Sequence, residues 1–198
     1  MTSSATAFER TVRAGGIVLF PADTVYGLAC DPESSAAVDR LYSLKGRPPV
    51  KPAAVMFFSL PPALDDIAVG PRMRAALERL LPGGVTLLLP NPERRFPLAC
   101  GPDPETLGLR VPDVPLLADV SVPVLQSSAN VSGGADARRL ADVPEPIREG
   151  ADLVLDGGEL PGTASTVVDL RGYEESGSWT VVRAGLVAPE AIGTVLGP

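Results

Sequence analysis

Three cations stand within seven residues in the stretch Lys45-Gly46-Arg47-Pro48-Pro49-Val50-Lys51, inside a chain whose overall balance is acidic. Long basic side chains on one short, proline-stiffened segment suit a polyanion such as a nucleoside triphosphate, because they make charge-assisted hydrogen bonds to phosphate oxygens. The same residues also fit a plain solvated helix end, where Lys and Arg oppose the macrodipole. A second stretch, Ser127-Ser128-Ala129-Asn130-Val131-Ser132-Gly133-Gly134, is made of hydroxyl, amide and glycine residues. It can turn several N–H groups and hydroxyls toward one anion, or it can be an ordinary loop. Arg110 is the third signal. It lies between Leu109 and Val111, so it points either into a polar cavity or outward from a half-exposed strand.

Each of these groups needs an element to hold it. Val38, Leu41 and Tyr42 recur at i, i+3 and i+4 within Ala36–Leu44, which predicts an amphipathic helix opened by Asp31-Pro32 and leading into the basic loop. Gly46 is expected to end it in the left-handed conformation, with the three cations carried on the rigid loop beyond. Ala53–Phe58 follows as an apolar strand. Thr106–Val111 is the strand that carries Arg110, and Pro123–Gln126 the strand that feeds the Ser/Asn/Gly run. Before these, Ser4–Ala14 reads as a helix capped by Ser3 or Ser4, Ile17–Phe20 as a strand, and Pro21–Leu28 as a polar turn between buried runs. Helices are expected at Pro61–Ala68 and Pro71–Leu81, each with proline in the first turn. A strand follows at Val85–Leu89, then a loop over Asn91–Asp103. Pro115–Val120 reads as a short helix. Leu153–Leu155, Thr166–Leu170 and Trp179–Arg183 are further strands, the last two joined by a polar hairpin around Gly172–Gly177, and Pro189–Leu196 is a closing helix. Alternating strands and helices with a β-rich tail predict an α/β domain with a mixed sheet.

Composition narrows the chemistry. The chain has 198 residues, 45% hydrophobic and 21% charged, with a net charge of −7. One globular domain over residues 1–198 is expected. No apolar run reaches the length of a membrane span and no signal-peptide pattern opens the chain, so a cytoplasmic location is expected. There is no histidine, which removes Ser-His-Asp and Cys-His triads together with histidine-based proton transfer. Cys30 and Cys100 form no paired-ligand pattern, so no resident metal is expected. An acidic chain is also a poor general nucleic-acid surface, and neither standard phosphate-loop motif is present. Residue chemistry alone therefore reaches an anion-binding α/β enzyme.

Six blocks carry the reading further. Pro-x-Asp-Thr-x-Tyr-Gly-Leu (21–28), Lys-x-Arg-Pro-x-x-Lys-Pro (45–52), Pro-Gly-x-x-Thr (82–86), Gly-x-Arg-Val-Pro (108–112), Ser-Ala-Asn-x-Ser-Gly (128–133) and Ser-Thr-Val-Val-Asp (165–169) closely resemble the YrdC-like threonylcarbamoyl-AMP synthase family, in family order. The resemblance spans residues 8 to 196 and corresponds to the short form, without the extra C-terminal domain of longer members. It implies an open twisted mixed sheet with flanking helices around a large, concave, positively charged cavity. It also implies an enzyme, a nucleotidyltransferase that joins L-threonine, bicarbonate and ATP into threonylcarbamoyl-AMP and pyrophosphate. That product feeds N6-threonylcarbamoyladenosine formation at position 37 of tRNA.

Carried over by position, the resemblance places the signature Lys45, Arg47, Ser128 and Asn130 in the catalytic centre. ATP, with the Mg²⁺ it carries, is assigned to Arg47, Lys51, Thr106, Ser128, Asn130 and Arg183. L-threonine is assigned to Thr24, Met56, Arg110 and Ser165. Hand-over to the threonylcarbamoyl-transfer proteins is implied, and strong direct tRNA binding is not expected. Two other readings accompany this one: a non-catalytic RNA-binding module on the same fold, and a paralogous carbamoyl-adenylate enzyme with a different acceptor. Four positions depart from the family pattern. Ala22 replaces a threonine and removes a hydroxyl beside the threonine pocket, Gly84 replaces a proline, Ser127 stands where Thr or Pro is common, and Asp136 brings a carboxylate near the nucleotide.

Overall fold

The computed structural model of the chain describes residues 3–48 and 50–197. Met1, Thr2, Pro49 and Pro198 lie outside the described residues, and with them part of the expected polar start and one proline of the basic segment. Among the described residues nine strands form one sheet: β1 Val18–Pro21, β2 Tyr26–Cys30, β3 Ala54–Met56, β4 Val85–Pro90, β5 Thr106–Arg110, β6 Val124–Ser128, β7 Leu153–Val154, β8 Thr166–Asp169 and β9 Thr180–Arg183. Their order across the sheet is β7-β1-β2-β6-β3-β5-β4-β8-β9. Pairs β1/β7, β3/β5 and β4/β8 are parallel and the other five are antiparallel, so the sheet is mixed.

The helices are distributed unevenly over its two faces. These are α1 Ser4–Arg13, α2 Ser35–Lys45, α3 Leu60–Asp66, α4 Pro71–Leu80, α5 Pro97–Cys100, α6 Glu145–Gly150, α7 Tyr173–Ser176 and α8 Pro189–Leu196. On one face Leu41 and Tyr42 of α2, Leu77 of α4, Ile147 of α6 and Ile192 of α8 join Leu28, Val55, Leu87, Leu109 and Leu125 in the main core. On the other face α1 buries Phe8 edge-on against Phe20 (5.3 Å) and Phe58 (5.1 Å), in a smaller cluster with Met56 and Val124. Alternation along each strand sends successive side chains to opposite faces. Ala54, Leu88, Gly108, Gln126 and Val167 consequently share the face of α1, beyond its cover, and line an open cavity.

Local chemistry explains most element ends, including those that differ from expectation. Ser3 caps α1 by accepting the Thr6 N–H at 3.2 Å. Helix α2 starts at Ser35 instead of at Asp31-Pro32, because Asp31 Oδ1 accepts the Glu33 N–H at 2.9 Å in a turn and Ser34 serves as the cap. Gly46 ends α2 with φ 57° and ψ 34°, as its type predicts. The Asn91–Asp103 loop contains the one-turn helix α5, and Pro115–Leu117 is a 3-10 turn in place of an α-helix. The hairpin between β8 and β9 contains helix α7, whose Tyr173 is buried in the main core. Three further elements are additional to the sequence reading: strand β2, whose five residues are all buried, helix α6 and a 3-10 turn at Leu140–Asp142. β6 runs on to Ser128, so the first hydroxyls of the Ser/Asn/Gly run belong to a strand. Among the described residues no helix is long and apolar enough to cross a membrane.

Candidate active site

The cavity measures about 320 Å³. Arg47, Arg110 and Arg183 line it, while Asp136 is the one carboxylate among its lining residues. A cation-lined cavity thus sits in an acidic protein, because three arginines line it while most carboxylates face solvent.

Lys45 does not stand on the loop with the other two cations. It is the last residue of α2, 1% exposed, and its ammonium donates to the backbone carbonyl of Ser128, to the carbonyl of Asn130 at 2.8 Å and to Asn130 Oδ1 at 3.0 Å. An ammonium has three donors and no acceptor, so these oxygens use its full capacity. Burial, reinforced by the nearby Arg47 charge, pulls its pKa down to about 8. Lys45 therefore acts from behind, fixing the end of β6 and the turn after it. Asn130 is buried in that turn and is not among the cavity-lining residues; its Oδ1 also accepts the Ser128 hydroxyl at 2.7 Å, while Ser128 lines the cavity.

Arg47 follows the helix stop. Its guanidinium lies 5.6 Å from the Tyr42 ring centroid, donates to the Pro52 carbonyl and faces the cavity, and its buried Nε has no protein partner among the described residues. Lys51 is exposed beside Pro52 at the rim and does not line the cavity. Thr106 lies on the cavity face of β5 yet outside the lining, because its hydroxyl donates to Asp103 at 2.7 Å and accepts from Arg171 at 3.2 Å. Met56 is fully buried with the α1 cluster and does not line the cavity either.

Arg110 does point inward. It is 3% exposed, and its Nη2 contacts Asp23 Oδ1 at 2.6 Å, the Ala22 carbonyl at 3.4 Å and Thr24 Oγ1 at 3.4 Å. Asp23 makes this possible by adopting a left-handed backbone, φ 60°. Such a conformation in a non-glycine residue costs about 1–3 kcal/mol and persists only where the surroundings over-determine it. Here Asp23 Oδ2 also accepts the Asp113 N–H at 3.3 Å. Burial pushes the Asp23 carboxyl up, and the Arg110 charge opposes that shift. Across the cavity Ser165 Oγ lies 2.7 Å from Thr86 Oγ1, and Arg183 Nη2 donates to the Ser165 carbonyl at 2.7 Å.

The structure thus gathers Thr24, Arg47, Arg110, Ser128, Ser165 and Arg183 around one space, with Lys45 and Asn130 behind it. Three contributors carry no role in the sequence reading. Thr86 belongs to the Pro-Gly-x-x-Thr block, which itself pointed to it. Gln126 is a polar residue in an apolar strand, the same signal that singles out Arg110. Tyr26 is fully buried, with its hydroxyl 2.8 Å from Asp156 Oδ1 and accepting the Gly157 N–H at 3.0 Å. It thereby ties down the start of the segment that leads to Ser165.

Known proteins are similar to this chain in sequence and in fold. The sequence model of the Sua5/YciO/YrdC family, described as "Telomere recombination", matches residues 10–185. A threonylcarbamoyl-AMP synthase from Mus musculus is 33% identical over 195 residues, covering 93% of this chain and 68% of that protein. One from Chromohalobacter salexigens is 36% identical over 172 residues, covering 82% and 90%. The crystal structure of P. abyssi Sua5 complexed with L-threonine superposes with a TM-score of 0.85 at 30% identity, and covers 96% of this chain. This chain spans 56% of the length of that Sua5. E. coli YciO, with a TM-score of 0.79 at 24% identity, shares the fold over 94% of this chain. With the family model covering most of its length and the six blocks gathered around one arginine-lined cavity, the chain belongs to the Sua5/YciO/YrdC family.

Proposed function

We propose that this protein is a threonylcarbamoyl-AMP synthase acting in the cytoplasm, with residues 1–198 as one functional domain. The observation that carries the reading is the cavity itself: three arginines, one of them buried and directed inward, face hydroxyls on β6 and at the start of β8. The threonine amine adds to bicarbonate with loss of water, giving a carbamate. A carbamate oxygen attacks the α-phosphorus of ATP, the α–β anhydride bond breaks, and pyrophosphate leaves with the bonding electrons. Transfer at phosphorus needs positioning and cations more than covalent help, which accords with a chain that has no histidine.

Arg47, Ser128 and Arg183 contact the nucleotide, with Lys51 reaching the phosphates from the rim and Mg²⁺ arriving with ATP. Lys45 and Asn130 position Ser128, and Thr106 acts only through the far end of the sheet. Arg110 takes the threonine carboxylate, with Thr24 and Ser165 beside it and Met56 packed behind. The adenylate passes to the proteins that transfer the threonylcarbamoyl group to tRNA. The deciding assay is pyrophosphate release from ATP and bicarbonate across the twenty amino acids. Threonine is expected to give the largest release, with serine next because it keeps the hydroxyl. Equal release with every amino acid would remove threonine as the substrate.

Charge leads to a second expected result. A surface that binds RNA through many phosphates loses affinity steeply as salt rises. With a net charge of −7 and the arginines inside a cavity, the protein should bind bare tRNA weakly near physiological salt while ATP binds one to one. Tight tRNA binding with a steep salt dependence, followed by filter retention or fluorescence anisotropy, would favour an RNA-binding module instead.

A further inference from the structure

Gln126 occupies an unusual position on the cavity floor. Registers across the sheet align Ala29, Gln126, Ala54, Gly108 and Leu88 in one row that continues to Asp169 on β8, so Gln126 is a polar side chain flanked by small and apolar ones. It is 6% exposed and lines the cavity. Arginine only donates, so the 3.5 Å contact with Arg110 Nη1 fixes Oε1 on that side and turns the NH₂ group away. Among the described residues that NH₂ has no protein acceptor. The nitrogen is reachable from the cavity, so its N–H bonds are available to a ligand there.

Its neighbours have made room for it. A Cβ built on Gly27 would lie 2.8 Å from Gln126 Nε2 and 3.3 Å from Ala22 Cβ. Gln126 therefore places its amide beside Ala22, where the sequence lacks the expected hydroxyl. A larger residue at 27 would displace the amide. Arg110, meanwhile, has Nη2 committed to Asp23, holds Nη1 only by the long contact with Gln126, and leaves its buried Nε unpartnered. Arg110 Nη2 lies 3.4 Å from the Ala22 carbonyl, so the guanidinium and the Gln126 amide border Ala22 from two sides.

We propose that Gln126 is a specificity-determining residue of the amino-acid pocket, its side-chain amide donating to the carboxylate that Arg110 grips. The inference rests on the threonine reading above. It makes recognition of the substrate carboxylate a two-residue task, with Ala22 and Gly27 as the small residues that admit the second donor.

The test uses the full chain with Gln126→Met, which keeps the side-chain length and removes the donors, and Gln126→Glu, which keeps the shape and sets a carboxylate against Arg110. Loss of a hydrogen bond to a charged group corresponds to about a tenfold or larger change. Gln126→Met should raise the KM for L-threonine by that factor while the KM for ATP stays within about twofold. L-Threoninamide lacks the carboxylate, so its KM should barely move, and the preference for threonine over the amide should shrink about tenfold. Gln126→Glu should weaken threonine binding further, read independently by calorimetry without ATP. An unchanged threonine KM in either variant would overturn the proposal, as would an equal loss on threonine and threoninamide. A wild-type protein that releases no threonine-dependent pyrophosphate would overturn the proposed function itself and this inference with it, an outcome visible before any variant is made.

Discussion

Arg110→Ala should raise the threonine requirement by on the order of a hundredfold and should also destabilise the fold. The first effect follows from losing the cation assigned to the substrate carboxylate, since removing a charged donor from a dry site costs a few kcal/mol. The second follows from what the arginine leaves behind. Its ion pair with Asp23 is 2.6 Å long, with side chains only 4% and 10% exposed. Breaking a buried pair by removing one partner strands an unpaired charge and typically costs about 3–5 kcal/mol. In a protein of this size each kcal/mol corresponds to about 2–4 °C in Tm, so a fall of about ten degrees is expected by calorimetry.

The double variant Asp23→Ala/Arg110→Ala should lose less stability than the two single losses summed, because the stranded carboxylate is gone. Threonine titrations belong well below the lowered Tm, to separate binding from unfolding. ATP affinity should change little, since the nucleotide is assigned to other cations, Arg47 and Arg183. If ATP binding collapsed while threonine dependence stayed the same, the assignment of Arg110 would be wrong. Arg110→Lys should recover only part of the function, since one ammonium cannot span Asp23, Ala22 and Gln126 together.

Lys45→Met is expected to have the other large effect. The methionine fills the space but leaves the Ser128 carbonyl, the Asn130 carbonyl and Asn130 Oδ1 without the donor they share. Asn130 Oδ1 keeps the Ser128 hydroxyl, but each carbonyl that loses its buried donor costs about 1–3 kcal/mol, so the variant should lose a few kcal/mol and most of its synthase activity together. The Lys45 pKa near 8 adds a pH signature. Because the folded value lies below that of free lysine, the unfolded chain binds the extra proton between about pH 8 and the usual lysine value. Stability therefore gains from this group as pH rises through that window, and carries its full penalty below it. ATP affinity moves the other way: it should fall above pH 8 as the positive charge behind Ser128 is lost. Lys45→Met should show neither dependence. A wild-type ATP affinity flat from pH 7 to 9.5 by calorimetry would show that the ammonium contributes nothing to nucleotide binding.

Local sequence was informative wherever a residue acts through its own backbone or through strand alternation. Gly46 is the clearest case: the left-handed stop after α2 requires glycine there, whatever the rest of the chain does. Arg110 is another, because a cation between two buried strand residues has to face a polar space. The six blocks carried the family because each keeps its internal spacing on a turn or strand end. Local signals were weaker at element ends, where a side chain competes with the helix, as Asp31 does at the start of α2.

What local sequence could not supply is partnership across the chain. Lys45 looked like the first of three loop cations. One more helical residue turned it inward instead, against carbonyls 83 and 85 positions away. The Arg110–Asp23 pair spans 87 positions and depends on a strained backbone at Asp23. Gln126 gained its meaning only when the sheet order set it across from Ala29 and Ala54 and above Gly27. Thr106, Lys51 and Met56 moved out of the cavity lining for the same reason. Residue type decides what a group can bind, but sheet order and helix cover decide which face stays open, and that is settled by burying apolar surface across the whole chain.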